Sequence, residues 1–144
     1  MSIISTIYNV LVGDDRINNL LARSDINPAQ PAIYEEWAID TTAFPYVVLS
    51  FSTITGDHWA KNETIINCDI FTYSNSIAAE DIKEAVIFAL DRRTFIAPAD
   101  GRYIRCYYNR DGFIVEPMEN ITHVNLEIAT HHWRNDFINN LVEE

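Results

Sequence analysis

Between Ile65 and Tyr73 the side chains alternate with a period of two, and within three residues the apolar period becomes that of a helix. The first stretch reads as a β-strand with Ile66, Cys68 and Ile70 on one face and Ile65, Asn67, Asp69 and Phe71 on the other. In the second, Ile82, Val86, Ala89 and Leu90 recur at three- and four-residue spacing. They form an apolar stripe that can cover one face of that strand. Ser76 is the expected N-cap, with Glu80 and Asp81 toward the positive end of the helix dipole and Arg92 and Arg93 toward its negative end.

The rest of the chain follows the same two periods. Ile3, Ile4, Ile7, Val10 and Leu11 predict an N-terminal helix that stops before Gly13, after which Asp14 can cap a short second helix carrying Ile17, Leu20 and Leu21. Prolines between Asn27 and Pro31 break regular structure, and Ala32–Trp37 reads as a short strand in an extended arm. Phe44–Ile54 predicts a long strand with Val47, Leu49 and Phe51 on one face. Thr55–Asn62, with Gly56, Asp57, His58, Trp59 and Lys61, is the expected hairpin loop to an antiparallel partner that begins near Glu63. Beyond the helix, Ala97–Gly101 is a turn signal and Arg102–Asn109 an alternating strand. Asp111-Gly112 suggests a tight hairpin into an interrupted strand, Phe113–Met118, weakened by Pro117. A turn over Glu119–Ile121 leads to a last strand, His123–Trp133, with Val124, Leu126 and Ile128 toward the core. The order of elements predicts a single-domain α+β fold, a mainly antiparallel β-sheet covered on one face by helices. That domain spans residues 1–134, and 135–144 form a C-terminal extension in which Phe137, Ile138, Leu141 and Val142 have helical spacing.

Composition narrows the classes of function. A chain of 144 residues with 48% hydrophobic content suits one core. A formal charge of −11 with ten basic residues excludes a protein that wraps nucleic acid, because phosphate binding needs clustered Lys and Arg. Cys68 and Cys106 occupy alternating strand positions and are expected as reduced, buried thiols. The N-terminus lacks a basic region followed by an apolar run, and no eighteen apolar residues occur in succession, so a soluble, unexported chain with no membrane partner is expected. On that expectation the triplets Asn62-Glu63-Thr64 and Asn120-Ile121-Thr122 read as accidental glycosylation signals.

His123, Glu127 and His131 are spaced by four, as metal ligands on a helix would be. Their surroundings alternate as a strand, and at roughly 3.3 Å per residue positions four apart are separated by about 13 Å, too far to share one ion. His131 and His132 point to opposite faces. Neither cysteine has metal or redox spacing, and Gly13, Gly56, Gly101 and Gly112 each read as the glycine of a separate turn, with no phosphate loop among them. No cofactor, metal or catalytic set is expected. What stands out is aromatic: Trp37, Trp59 and Trp133 fall in arm, loop and strand-end positions, and Tyr103 and Tyr107 flank Arg105 on one strand face. With Asp57, His58, Lys61 and His131 they make up the candidate interface residues, since aromatic and Arg side chains suit subunit contacts.

The helical start, the Phe44-Pro45-Tyr46-Val47-Val48-Leu49 strand, the Ile66–Tyr73 strand with its helix and the closing His123–Trp133 strand together resemble the tail terminator or tail completion proteins of long-tailed bacteriophages. The resemblance spans Ile3 to Trp133 and implies a non-enzymatic virion protein. Such proteins form a homo-hexameric ring that caps the tail tube protein, ends tube polymerisation and joins the tail to a head-completion or neck protein, with DNA passing through the lumen without specific binding. Size agrees: a domain of this length has a radius of gyration of about 14 to 15 Å, so six in a ring enclose a hole about one domain wide, broader than a duplex of roughly 20 Å. An acidic lumen would let DNA slide without adhering. The alternatives are a head-closure or adaptor neck ring, a small cytosolic enzyme, and a monomeric binding module.

Overall fold

The computed structural model describes residues 2–24, 26–36, 43–56, 61–97, 101, 103–116 and 120–133. Trp37, Asp57, His58, Trp59 and the 135–144 extension lie outside them, as do Arg102, Pro117, Met118 and Glu119. The described residues form three helices and six strands in the order α1 (Ser2–Val12), α2 (Asp15–Leu20), β1 (Ile33–Glu35), β2 (Tyr46–Gly56), β3 (Lys61–Tyr73), α3 (Ser76–Leu90), β4 (Thr94–Ile96), β5 (Tyr103–Ile114) and β6 (Ile121–Trp133). The strands form one sheet in the order β1-β2-β3-β6-β5-β4, antiparallel throughout except for the parallel pair β1–β2.

Period-two patterning puts one apolar row of each central strand under the helices. Val47 and Leu49 of β2, Ile66, Cys68 and Ile70 of β3, Ile104 and Cys106 of β5, and Val124, Leu126 and Ile128 of β6 are all buried there. Register aligns them, with Cys68 opposite Leu126 and Ile66 opposite Ile128. α3 packs over β3, β6 and β5, α1 over β1 and β2, and α2 against α3. The α3 stripe is buried as its spacing requires, Ile82, Val86, Ala89 and Leu90 joined by Ala79 and Ala85. The domain is thus an α+β fold with its helices on one face of a mainly antiparallel sheet. Cys68 and Cys106 are free thiols in this core. Burial pushes the Cys106 thiol up to about 12, with the charge of Asp91 adding to it, and raises Cys68 further.

Local details differ from expectation in instructive ways. The cap of α3 is Asn75, whose side chain accepts from the Ala78 N–H at 2.9 Å, and Ser76 is the first helical residue. An amide oxygen one residue earlier reaches the third backbone N–H of the helix, which is the bond a cap must make. No acidic residue lies in the first turn and no basic one in the last, so Glu80 and Asp81 sit too far along for the dipole to act strongly. Arg93 still serves the C-terminus, its Nε donating to the Phe88 carbonyl at 3.2 Å. Asp14 caps α2 as expected, accepting from Ile17 N at 3.0 Å.

The tight hairpin at Asp111-Gly112 does not form. β5 runs unbroken through both residues, with Gly112 opposite Asn125 and Ile114 opposite His123. A bulge between Tyr108 and Arg110 absorbs one residue, and the long β6 offers a partner beyond it. The Asp111 carboxylate is occupied by Lys83 Nζ at 3.4 Å and by the Tyr108 hydroxyl, so it is not free to stabilise a turn. Phe113 and Ile114 therefore end β5 instead of starting a return strand. At the β2–β3 hairpin, Thr55, Gly56, Lys61 and Asn62 belong to the paired strands, with Gly56 opposite Asn62. Of the four glycines Gly13 occupies a turn, Gly101 has a φ of 70° with its N–H donating to the Ala97 carbonyl at 2.8 Å, and Gly56 and Gly112 lie in strands. β4 was not foreseen: three residues are too few to display alternation, and they pair with Tyr103–Arg105.

Candidate functional site

The face of the sheet away from the helices carries the polar and aromatic rows. Asp69 on β3 and His123 on β6 sit on neighbouring strands, and His123 Nε2 lies 2.7 Å from Asp69 Oδ1. Its other ring nitrogen lies 2.5 Å from Glu116 Oε1, just past the end of β5. A histidine that donates from both nitrogens to carboxylates must be protonated. Burial opposes that charge on His123, but the hydrogen bonds to Asp69 and Glu116, with the negative charge of both, outweigh it and raise the pKa above its ordinary value. Asn125 braces the group, donating to Asp69 Oδ1 at 2.9 Å and Asn67 Oδ1 at 3.2 Å.

Two strand positions further along β6, Glu127 is held by Arg110 through Nε at 2.7 Å and Nη2 at 3.2 Å, and by Asn109 Nδ2 at 3.1 Å. The β5 bulge makes this possible, because it turns Arg110 onto the open face opposite Glu127. The paired geometry is the bidentate arrangement that favours Arg over Lys.

Of the ten candidate interface residues, four converge. Tyr103, Arg105 and Tyr107 share the open face of β5, and Arg105 Nε donates to the Tyr107 hydroxyl at 2.7 Å while its guanidinium carbon lies 5.3 Å from that ring's centroid. Tyr107 meets His131 edge-on at 5.2 Å. Arg105 is also fixed by Thr94 Oγ1 at 3.0 Å, so β4, the unforeseen strand, orients the cation. Tyr103 is 43% exposed at the end of this row. Lys61 and Trp133 face each other in the β3–β6 register. The other four, Trp37, Asp57, His58 and Trp59, fall outside the described residues.

His123, Glu127 and His131 lie on one strand face and each serves a separate partner set, His131 standing 3.8 Å from Glu63. Among the described residues no three His, Cys, Asp or Glu side chains are placed to hold a metal ion. On the other half of the face, rings stack from strand to strand: His123 on Phe71 at 4.1 Å, Phe71 on Tyr46 at 4.9 Å, and Tyr46 against Tyr34 at 6.2 Å. The Asp69–His123–Glu116 clasp and the Arg110–Glu127 pair were not picked out from sequence, since their members are 7 to 54 residues apart and meet only through register. A signal did exist in the placement of Asp69 on the face of β3 away from the core.

A cavity of about 380 Å³ lies beside α1 and β1, lined by Tyr8, Ser24, Gln30, Tyr34 and Glu35 among others. Tyr8 donates to Gln30 Oε1 at 3.1 Å, and burial with the nearby Glu35 raises its pKa. It holds its proton at neutral pH and supplies no base there. Among the described residues no helix is long and apolar enough to cross a membrane.

No family model matches the chain, and no curated protein does. Sixteen chains of solved structures match it in fold. One belongs to the virion of a native gene transfer agent particle, at a TM-score of 0.70 and 13% identity, covering 92% of this chain and 95% of that one. At that identity the likeness is one of fold, and it extends over nearly the whole of both chains.

Proposed function

We propose that the chain is a virion structural protein of a long-tailed phage or phage-like particle, and within it the tail terminator. Identical copies close into a hexameric ring on the end of the tail tube, stop its polymerisation and present their other side to the neck protein. The observation that carries this reading is the fold shared end to end with a gene transfer agent virion chain. The sequence resemblance to tail terminators points to the same kind of particle by a separate route. Fixed aromatic and cationic side chains on an open sheet face, with no set of groups poised for turnover among the described residues, suit contact between proteins.

DNA passes through the ring in this reading. The described part of the open face holds Glu63, Asp69, Glu116 and Glu127 against Arg105, Arg110 and the protonated His123, a surface only slightly acidic where it faces the lumen. In this reading residues 57–60, which include His58 and Trp59, contact the neighbouring ring. Electron microscopy of particles assembled without this protein tests the proposal. Tails of irregular, excessive length, unjoined to filled heads, are the expected result. Tails of normal length that end without heads would favour the neck-adaptor reading, and normal virions would exclude both.

A further inference from the structure

The two outer sides of the sheet are each covered along only one end. β1 pairs with β2 only over Val47–Leu49, and β4 pairs with β5 only over Tyr103–Arg105. Among the described residues no strand adjoins β2 from Ser50 to Gly56 or β5 from Asn109 to Ile114. The two bare stretches lie at opposite ends of the sheet. Ile114 is level with Tyr46 through His123 and Phe71, whereas Gly56 is level with Ile104 through Asn62 and His132.

Backbone bonds reveal which groups point outward. On β5, Cys106 faces away from β6, its N–H donating to the Arg93 carbonyl at 3.0 Å and its carbonyl accepting from Arg92 N at 2.8 Å. The bulge after Tyr108 shifts the alternation by one, so beyond it Asp111 and Phe113 turn their N–H and C=O outward. On β2, Val47 N donates to the Ala32 carbonyl at 3.0 Å and the Leu49 carbonyl accepts from Glu36 N at 2.7 Å. The bulge between Phe51 and Thr53 moves the outward set to Ile54 and Gly56. Natural sheets shield such edges with charged side chains, Pro, bulges or a covering segment, and here each edge carries one bulge, beyond which regular pairing on the inner side resumes. Neither bare stretch contains Lys or Pro. The β5 stretch instead ends in Phe113, Ile114 and Val115, which are 62%, 44% and 96% exposed.

We propose that the bare half of β5 pairs with the bare half of β2 of a second copy, antiparallel and staggered, so that the sheet continues from subunit to subunit. The inference rests on the ring reading above and supplies its contact. Three antiparallel steps separate β2 from β5, so copies in the same orientation present these strands in opposite directions. A stagger of about half a strand brings bare half to bare half, while β4 of one copy and β1 of the next fill the space beyond each end. Because β5 meets β2 and not itself, the contact is heterologous and can close a ring. Its dimensions are consistent. Four full strands per copy span about 19 Å and a six-residue stagger about 20 Å, which implies a strand tilt of about 45°, within the range of closed barrels. Six copies at that tilt would close at a diameter of about 50 Å, wider than a DNA duplex.

The test uses the full chain, alone and on purified tail tubes. Phe113→Pro removes an outward N–H that no described residue accepts, whereas Phe113→Ala keeps that N–H and removes the exposed ring. Sedimentation should show assembly weakened at least about tenfold by proline and within about twofold of the parent for alanine. Hydrogen exchange of the unaltered protein, assembled against dissociated, should slow at both Asp111 with Phe113 and Ile54 with Gly56. That measurement decides the matter should the proline variant fail to fold. Normal assembly of folded Phe113→Pro would overturn the pairing and leave the ring reading standing. So would protection confined to β5, the mark of two β5 strands meeting across a twofold axis. No multimer under any condition, alone or on tubes, would remove both.

Discussion

His123 combines burial, a stacked aromatic neighbour and two carboxylates, and its protonation ties β3, β6 and the chain beyond β5 together. Its pKa is raised in the fold, so the stabilisation is fully present below the unfolded value near 6.5 and is lost as pH rises through the higher folded value. Thermal unfolding followed by circular dichroism should therefore give a midpoint that falls as pH rises above the unfolded value of about 6.5. His123→Gln should flatten that part of the profile, and parallel profiles for parent and variant would refute the clasp's role. The buried thiols behave in the opposite manner. Cys68 and Cys106 carry no thiolate at neutral pH and fill space as small apolar groups.

Elements were legible wherever a long stretch kept one period. α1, α3, β3 and β6 are of that kind, and the Asp14 cap of α2 was legible from one residue. The cap of α3 tests how far such reading goes, since Asn75 and Ser76 are both good caps and only the observed bond to Ala78 separates them. Asn75→Ala should cost about 1 kcal/mol of unfolding free energy and Ser76→Ala well below that, as measured by urea denaturation. Equal losses would restore Ser76 as the cap. β5 was misread because Asp111-Gly112 is a strong local turn signal, and the partner that overrides it, residues 123–127 of β6, is remote in sequence. β4 left no periodic trace at all. The open-face clasp was hidden for a related reason: alternation tells which face a residue takes, but only strand order brings Asp69 beside His123. Alternation alone puts Tyr103, Arg105 and Tyr107 on one face, and His131 joins them only through the register that sets it opposite Arg105.

At the scale of the whole molecule, a charge of −11 governs encounters with other polyelectrolytes. Duplex DNA should migrate unchanged in a gel with excess protein even at about 50 mM salt, where any phosphate-binding surface would be strongest. A salt-dependent shift would contradict passage of DNA without adhesion. The order of the strands sets a further condition. Lys61–Tyr73 and Ile121–Trp133 are neighbours at the centre of the sheet although the chain between them holds α3, β4 and β5. Closing that span is the slow, entropically costly step expected of a fold dominated by distant pairings. Until the last strand has left the ribosome, β3 has no second partner and α3 covers an unfinished layer. A nascent subunit therefore cannot complete its central sheet, and copies truncated before Ile121 would be left with a bare, isoleucine-rich strand prone to aggregation.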